Sequence, residues 1–314
     1  MNFNYFKNKK ILITGASGVV GYNLVKTLKD NINCDIHVNY LNSLDMNFKE
    51  LDLSITHHIF DITDSNVISK MPMFDIIFYC SGYGQPQKFC LSPEKTFILN
   101  TFSVYEISKK VNKDGKFIFI STSELYAENF ENNNEESNIS INPKNRRNCY
   151  ILSKMFGEAI LNFNSSNIDY KNIRLCLCYG AGFKRDDRRV FSEFIIKAVD
   201  NDVIQLMDDG SDIRSYIYVD DCISALLKIT ERGTHNLYNI GGDKQITIFE
   251  LANEISKLTN CKVILGERKG KLYDSPNKSF VDITRYEEEF GKLNNIKLRY
   301  GISKMLEWYR TMIK

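Results

Sequence analysis

The stretch Lys10-Ile-Leu-Ile-Thr-Gly-Ala-Ser-Gly-Val-Val-Gly21, followed by Tyr22-Asn-Leu-Val-Lys-Thr-Leu28, decides the fold. It predicts a short buried strand, a glycine turn and a helix with apolar residues at helical spacing. This is the setting of a dinucleotide-binding loop, where glycines allow a tight turn and close approach of the backbone to a pyrophosphate. Free N–H groups at the helix N-terminus would then face the phosphates. The alternative is a glycine turn before an ordinary helix.

A second pattern, Tyr150-Ile-Leu-Ser-Lys154, follows Thr122, which ends a strand-like run. A tyrosine and a lysine four residues apart lie on one face of a helix. A phenol normally titrates near pH ~10, and a neighbouring ammonium favours the phenolate. Together with the Thr122 hydroxyl, the pair is suited to removing a proton from a substrate alcohol. The spacing is common by chance, and the glycine loop strengthens the interpretation.

The overall composition narrows the class of protein. The chain has 314 residues, is 43% hydrophobic and 25% charged, and carries a formal net charge of +2. These values are typical of a globular protein with a large core and argue against a general nucleic-acid binder. No apolar run approaches the roughly 20 residues that span a bilayer, and residues 1–10 contain no signal-peptide core. We therefore expect a cytoplasmic protein that binds neither nucleic acid nor membrane.

Eight cysteines and four histidines are scattered along the chain. Cys176-Leu-Cys178 would place two thiols on one face of a strand, but no second ligand pair accompanies them. The histidines, including His57-His58, match no metal spacing. We therefore expect no metal site, and unpaired cysteines fit a reduced, cytoplasmic protein.

Strand-like and helix-like segments alternate through the first 180 residues. This alternation predicts an α/β fold with a doubly wound parallel sheet. The polar stretch 127–148 is expected to be a surface loop. The predicted strands are 10–14, 35–40, 57–61, 74–81, 116–122 and 171–178, and the predicted helices are 19–30, 45–52, 64–70, 94–112 and 150–165.

The sequence changes character beyond residue 180. Residues 183–214 are rich in charge, whereas 215–219 and 235–240 are strand-like and are expected to rejoin the sheet. Substrate would then bind between two lobes, beyond the carboxyl ends of the strands. The predicted units are a dinucleotide-binding domain of residues 1–179 with 215–242, and a smaller mixed α/β substrate-binding lobe of residues 180–214 and 243–314, with helices at 247–258 and 302–313.

With its segments in this order, the chain resembles the extended short-chain dehydrogenase/reductase family, of the nucleotide-sugar epimerase and dehydratase type. The resemblance runs nearly from end to end, and it implies a Rossmann sheet, NAD as cofactor and a nucleotide-diphosphate sugar as substrate. The motifs that carry it are Thr14-Gly-Ala-Ser-Gly-Val-Val-Gly21, Phe60-Asp-Ile-Thr-Asp64, Phe78-Tyr-Cys-Ser-Gly82, Asn100, Ser121-Thr-Ser-Glu-Leu-Tyr126, Tyr150 with Lys154, Arg214-Ser-Tyr-Ile-Tyr-Val-Asp-Asp221 and Asn239-Ile-Gly-Gly242.

The same resemblance implies which residues contact NAD. At the end of the second strand, Asn39 stands where relatives usually place an acid that holds the adenosine ribose. No arginine follows it in Tyr40-Leu-Asn-Ser43, which favours NAD over NADP. The implied contacts are Gly15, Ser17, Gly18, Val19, Val20 and Gly21 in the loop, Asn39 at the ribose, Asp61 and Ile62 at the adenine, Cys80, Ser81, Gly82 and Asn100 beneath the cofactor, and Tyr150 and Lys154 at the nicotinamide end.

The implied chemistry is transient oxidation at C4 of the sugar. By resemblance, the catalytic residues are Thr122, Glu124, Tyr150 and Lys154. Tyr150 would remove the C4 hydroxyl proton while hydride passes to NAD, with Lys154 lowering the tyrosine pKa. Ser123-Glu124 resembles the 4,6-dehydratases and the UDP-glucuronate decarboxylases, and Arg147-Asn-Cys-Tyr150 and Asp187-Arg-Arg-Val190 resemble the decarboxylases more closely.

Alternatives remain open at this stage. Within the family, they are a nucleotide-sugar 4-epimerase and a 4-dehydrogenase that releases a keto sugar, and outside enzymes a non-catalytic NAD(H)-sensing protein. Arg189 and Arg214 are implied to hold the substrate diphosphate together with Thr122 at the sugar, the alternative for each arginine being an exposed charge. Glu124 would otherwise be a surface carboxylate at a strand end.

The chain also departs from its relatives. Leu177 stands where many have an asparagine that contacts substrate, and Ala127 where they usually have glycine. Segments 94–112 and 150–165 carry more apolar residues than one packed face requires. Related enzymes pair these two helices with their copies, so a homodimer through 94–112 and 150–165 is expected.

Overall fold

The computed structural model describes residues 3–42, 54–128, 133–164, 166–267 and 278–313. In chain order, its strands are β1 (Lys10–Thr14), β2 (Asp35–Tyr40), β3 (Thr56–Ile59), β4 (Phe74–Tyr79), β5 (Val111–Thr122), β6 (Asp169–Leu175), β7 (Leu177–Tyr179), β8 (Val203–Gln205), β9 (Ile213–Tyr218), β10 (Leu237–Ile240), β11 (Gln245–Thr247), β12 (Lys262–Ile264) and β13 (Lys278–Ser279). Its helices are α1 (Val19–Asn31), α2 (Ser65–Ser69), α3 (Pro86–Leu91), α4 (Pro93–Asn100), α5 (Phe102–Ser108), α6 (Asn148–Phe163), α7 (Val190–Asp200), α8 (Val219–Arg232), α9 (Ile248–Thr259), α10 (Thr284–Phe290) and α11 (Leu298–Met312).

Seven of these strands form a parallel sheet in the order β10-β6-β5-β4-β1-β2-β3. The apolar residues of β1 are fully buried, because helices cover both faces of a parallel sheet. The chain builds from β1 outward to β3 and then crosses to β4 on the other side of β1. This reversal opens a crevice at the carboxyl ends of β1 and β4, where α/β proteins bind ligands. The predicted doubly wound parallel fold is confirmed.

A smaller mixed sheet contains β9, which pairs antiparallel with β11 and parallel with β13 and β7. The prediction that 215–219 rejoins the central sheet is therefore wrong, whereas β10 does join it. The chain runs directly from β6 into β7, and β9 pairs with β7 in the small sheet. The strand that pairs with β6 at the edge of the central sheet is therefore β10. The division into a cofactor domain and a substrate lobe stays a prediction.

The predicted helix 94–112 is two helices, α4 and α5, and its last two residues begin β5. The break lies at Thr101, whose φ of −126° and ψ of −83° are not helical. Next to the break, the Asn100 carbonyl meets Gly157 of α6, where a Cβ would lie 2.4 Å from the carbonyl oxygen. α3, α7, α8 and α10 were not predicted, and the predicted helix 45–52 lies outside the described residues.

Four buried polar side chains link β6 and α6 to β10. The Arg174 guanidinium donates to Glu158 of α6, with Nη2 2.8 Å from Oε2, and to the Tyr126 phenol at 2.7 Å. Tyr126 donates in turn to Asn239 Oδ1 at 3.0 Å. The paired charges replace the lost hydration of these groups and tie α6 to the sheet.

Part of the predicted surface loop 127–148 completes this network. Glu135 accepts a hydrogen bond from the backbone N–H of Asn239 at 2.7 Å, and the Asn133 carbonyl accepts one from its side-chain amide at 2.9 Å. Asn133 and Glu135 are both buried, so the loop prediction is wrong for them. The Glu135 side chain and the Asn133 backbone carbonyl satisfy polar groups of β10, and the Asn133 side-chain amide donates to the Phe280 carbonyl at 3.1 Å.

We predict that the Glu158–Arg174 pair behaves as a unit in folding. Arg174→Met leaves a buried carboxylate without its partner and should lower the free energy of unfolding by about 3–5 kcal/mol. The double variant Arg174→Met/Glu158→Leu should recover a large part of that loss, because both buried charges are then gone. Denaturant unfolding of the four proteins in this cycle measures the coupling, and costs that simply add would contradict the prediction.

Candidate active site

The glycine loop lies at the carboxyl end of β1, where the sheet order reverses. Gly15 has a φ of +60°, and a Cβ on it would lie 2.7 Å from the carbonyl carbon of Cys80. A Cβ on Gly21 would lie 2.7 Å from the Gly15 carbonyl oxygen, so α1 packs directly on the turn. Both positions therefore require glycine. The remaining residues of the loop assigned to NAD are Ser17, Gly18, Val19 and Val20.

The N-terminus of α1 is open to an anion. Helix α1 begins at Val19 with Gly18 as the N-cap residue, and no side chain caps it. The first N–H groups of a helix carry a partial positive charge and bind phosphate when no side chain takes them. The loop therefore fits a dinucleotide pyrophosphate.

The positions assigned to the adenosine end are occupied by internal contacts. The buried Asn39 amide donates to the carbonyls of His58 at 3.1 Å and Phe60 at 3.2 Å, so its N–H groups serve the sheet edge. Asp61 pairs with Lys95 at 2.6 Å, and this bond helps to hold the pKa of Asp61 below its usual range although burial opposes it. Ile62 is buried beside it.

Three of the residues that were assigned to the position beneath the cofactor lie close together at the end of β4. They are Ser81, Gly82 and Asn100. A Cβ on Gly82 would lie 3.3 Å from Asn100 Oδ1 and 3.5 Å from Lys154 Nζ. Asn100 donates through Nδ2 to Ser153 at 2.9 Å, while its Oδ1 is buried without a partner among the described residues. Ser81 N donates to Thr14 Oγ1 at 3.2 Å, which joins the ends of β4 and β1. An acceptor left unpaired here fits a ligand that donates.

The four predicted catalytic residues come from two elements. Tyr150 and Lys154 lie one turn apart on α6. Thr122 ends β5, and its hydroxyl lowers the pKa of the Tyr150 phenol. Glu124 lies in the 3-10 turn that follows β5, and its N–H donates to Thr122 Oγ1 at 3.2 Å. Lys154 donates to the Ile120 carbonyl at 2.7 Å. The structure therefore brings all four together.

Burial acts on the two titrating groups in opposite directions. It raises the pKa of the Tyr150 phenol, and Glu124 adds to this, while Thr122, Arg147 and Arg189 lower it. Burial lowers the pKa of Lys154 to about 7, although the nearby Cys80 thiol and Glu158 carboxylate act to raise it. The desolvation of the phenolate is therefore the main obstacle to base catalysis in the protein alone. That Lys154 lowers the tyrosine pKa stays a prediction.

Phe89 of α3 and Arg147 complete the surroundings of Tyr150. The Phe89 ring stacks on the Tyr150 ring, with centroids 4.7 Å apart and planes 8° apart. The Arg147 guanidinium lies 5.3 Å from the same Phe89 ring and donates to both oxygens of Glu124, at 2.7 and 2.8 Å. Sequence reasoning missed Phe89 and gave Arg147 no role of its own, although the motif that ends in Tyr150 begins with it.

The two arginines assigned to the diphosphate differ in their surroundings. Arg189 Nε donates to the buried Asp187 at 3.0 and 3.1 Å, and its charge also acts on the Tyr150 pKa. Arg214 pairs with Asp212 at 3.1 Å on β9. The diphosphate role stays a prediction for both.

The described residues also bear on metal sites, membrane-spanning helices and disulfides. Among them, no group of three or more His, Cys, Asp or Glu side chains could hold a metal ion. No described helix is both long and apolar enough to cross a membrane. All eight cysteines lie in the described ranges, and none of them forms a disulfide there.

The chain is similar to several known proteins. It is 28% identical to UDP-glucuronic acid decarboxylase 5 of Arabidopsis thaliana, over 96% of this chain and 90% of that protein. An epimerase from Methanothermobacter thermautotrophicus has a TM-score of 0.84 at 19% identity and covers 98% of this chain and 94% of its own. UDP-glucose 4-epimerase of Thermotoga maritima has a TM-score of 0.80 at 22% identity and covers 97% and 100%. The two structural matches show a shared fold.

A family model matches most of the chain. Residues 11–241 match the model of the NAD dependent epimerase/dehydratase family, from the first strand to the first of the two glycines after β10. This range contains the glycine loop, Thr122, Tyr150 and Lys154. The chain therefore belongs to the NAD-dependent epimerase/dehydratase family.

Proposed function

We propose that this protein decarboxylates a nucleotide-diphosphate uronic acid, such as UDP-glucuronate, after transient oxidation at C4 of the sugar. The observation that carries the proposal is the position of Tyr150 and Lys154, one helical turn apart on α6 beside the end of β5, where Lys154 donates to the Ile120 carbonyl and the Glu124 N–H donates to Thr122. The similarity to UDP-glucuronic acid decarboxylases supports decarboxylation over 4,6-dehydration or 4-epimerisation. We also propose that the protein acts in the cytoplasm.

The residues present fit NAD. Gly15 and Gly21 leave no room for a side chain, the N-terminus of α1 offers N–H groups to the pyrophosphate, and Asn100 has an acceptor with no partner among the described residues. Bound NAD supplies a group that accepts a hydride from C4 and later returns it. Lys154 and Tyr150 would hold its nicotinamide ribose, Asn39 its adenosine ribose, and Asp61 and Ile62 its adenine. The Asn39 amide would bond through its carbonyl, since its N–H groups are taken.

Proton transfer is the task of Tyr150. The phenolate removes the proton of the C4 hydroxyl, and Thr122 stabilises the phenolate by its hydrogen bond. A Lys154 pKa of about 7 makes this amine able to gain or lose a proton near neutrality. Arg189 and Arg214 hold the diphosphate and fix the sugar, which converts the proton transfer to a positioned, intramolecular step.

A ketone at C4 makes the C6 carboxylate a β-keto acid. The C5–C6 bond breaks, carbon dioxide leaves, and the electron pair moves onto the C4 oxygen as an enolate. Thr122 and Tyr150 face that oxygen and stabilise its charge. C5 then takes up one proton, and C4 is reduced again, so the cofactor ends in its starting form.

Incubation with UDP-, GDP-, dTDP- and CDP-uronic acids and sugars, followed by measurement of the product mass, tests the assignment. Loss of carbon dioxide supports decarboxylation, whereas loss of water supports dehydration and an unchanged mass supports epimerisation.

The first prediction for this mechanism concerns the base. Tyr150→Phe should lower turnover at least about 10²-fold, because positioned acid–base catalysis contributes ~10²–10⁴-fold. The glycine loop, Asn100 and Lys154 are unchanged in this variant, so NAD binding should be retained. Steady-state rates and NAD titration measure the two effects, and near-wild-type turnover would exclude Tyr150 as the base.

A second prediction follows from the buried amine. Between pH 7 and about pH 10, the unfolded chain keeps a proton on Lys154 that the folded protein has lost, so stability must rise with pH. The free energy of unfolding of the wild-type apoprotein should therefore increase relative to Lys154→Met across this window. Lys26→Met, at an exposed lysine of α1, controls for the loss of a positive charge. Parallel curves for wild type and Lys154→Met would contradict the prediction.

We further propose a homodimer through α4, α5 and α6. α4 and α5 contact α6, and the three helices expose large apolar side chains, among them Phe97, Phe102 (64% exposed) and Phe163 (87% exposed). The Phe97 and Phe156 rings lie 6.0 Å apart, which makes the surface continuous between α4 and α6. An apolar surface of this kind favours association.

Phe156→Glu should shift the protein from dimer to monomer, because it places a charge at the centre of this apolar surface. Phe249→Glu, at an exposed phenylalanine of α9, is the matched control and should leave the dimer intact. Sedimentation velocity measures both, and a monomeric wild type would exclude the proposed interface.

A further inference from the structure

Glu124 and Arg147 form an ion pair whose two members differ in accessibility. Both Glu124 oxygens accept from one nitrogen of Arg147, at 2.7 and 2.8 Å. The Glu124 side chain is 17% exposed, whereas that of Arg147 is 6% exposed. The carboxylate therefore lies on the open side of the pair and the guanidinium behind it.

The rest of the Arg147 guanidinium does little for stability. Its Nε and Nη1 atoms are buried without a hydrogen-bond partner among the described residues, and the group lies over the Phe89 ring. An unmade hydrogen bond on a buried donor costs about 1–3 kcal/mol. An apolar side chain would pack against Phe89 without that cost, so the positive charge is better explained by its partner than by folding.

The backbone around the pair is tied to the reacting groups. Arg147 lies at the start of α6, three residues before Tyr150, and its N–H donates to Asn145 Oδ1 at 2.9 Å. The Glu124 N–H donates to Thr122 Oγ1, and the Thr122 hydroxyl lowers the pKa of the Tyr150 phenol. The ion pair therefore closes a ring that joins the end of β5 to the start of α6.

The geometry points to Arg147 as a positioning residue that fixes the Glu124 carboxylate beside Tyr150, so that Glu124 acts after C4 oxidation as a negative charge held in place. The inference rests on the proposed function and names a residue that controls the decarboxylation step, which follows C4 oxidation. For a C6 carboxylate substrate, a fixed negative charge favours departure of neutral carbon dioxide, because electron density then moves away from Glu124 toward C4.

The two members of the pair also act on the pKa of Tyr150 in opposite directions. Glu124 raises the Tyr150 pKa, whereas Arg147 and, from the start of α7, Arg189 lower it; Thr122 lowers it by its hydrogen bond. Removing one member of the pair therefore moves the Tyr150 pKa in a direction opposite to removing the other.

The test compares Arg147→Gln, Glu124→Gln, the double variant and Arg147→Lys with wild type. Rapid mixing of NAD-loaded protein with UDP-glucuronate follows C4 oxidation as NADH absorbance, and product mass follows decarboxylation. Arg147→Gln should retain C4 oxidation, accumulate NADH and slow turnover about 10²-fold, and the double variant should be no slower than either single one. Arg147→Lys should recover turnover to within about 10-fold of wild type, because it keeps the charge.

Two further readouts separate positioning from folding. The pH profile of C4 oxidation should move to higher pH in Arg147→Gln and to lower pH in Glu124→Gln. In the apoprotein, the side-chain N–H signals of Arg147 by NMR should be sharp in wild type and broadened in Glu124→Gln. Arg146→Gln, at the exposed neighbouring arginine, is the matched control and should resemble wild type throughout.

The outcomes distinguish this inference from the proposed function. If wild type converts no nucleotide sugar to a product of changed mass or configuration, the proposed function fails and the role given to Glu124 fails with it. If wild type is active but the two single variants multiply in their effects, or Arg147→Gln loses C4 oxidation and turnover in equal measure, the positioning role of Arg147 alone is overturned.

Discussion

The close approach of α6 to the central sheet is the constraint on which the site depends. Gly157 lies against the Asn100 carbonyl, and its missing side chain would also collide with the Phe119 ring, 2.9 Å from a built Cβ. This contact presses the preceding turns of α6 onto the end of β5, which buries Tyr150 and Lys154 beside Thr122. Any larger residue would lift the helix and separate the phenol from the threonine. Packing thus sets the geometry on which the proposed chemistry relies.

The same packing creates an electrostatic problem. Taking a phenol and an amine out of water disfavours the charged form of both, so the phenolate that the reaction needs is costly in the protein alone. The surrounding positive groups, Arg147 and Arg189, reduce this cost without removing it. A protein that binds its cofactor and substrate in this crevice would add the rest of the stabilisation only when both are present. Such a base stays unreactive until the complex with cofactor and substrate forms, which limits side reactions.

The sequence was sufficient for features set by short-range patterns. The strand, turn and helix around Gly15 could be predicted because steric demands on a tight turn are local, and the Tyr150–Lys154 face because helical periodicity is local. The family resemblance and the doubly wound sheet followed from these and were confirmed. Features set by distant contacts were missed. The membership of β9 in the small sheet depends on β7, and the burial of Glu135 depends on an N–H of β10.

The ion pair of Glu124 and Arg147 shows the same limit within the site. The two residues are 23 positions apart, and only the fold brings the start of α6 against the turn after β5. A signal was present in the motif that runs from Arg147 to Tyr150, but spacing alone cannot show which acid an arginine will meet. The Asn39 amide is a second case. It donates to a carbonyl of the neighbouring edge strand β3, and this bond depends on the register in which β2 and β3 pair.

The fate of the hydrogen on C4 tests the central claim most directly. Wild-type protein would be incubated with UDP-glucuronate deuterated at C4, and the decarboxylated product examined by mass spectrometry and NMR. Transient oxidation predicts that the deuterium leaves C4, returns to C4 of the product and is not diluted by solvent, with no net reduction of NAD. Product that forms while the C4 deuterium is never transferred to NAD, or no reaction at all, would contradict the account.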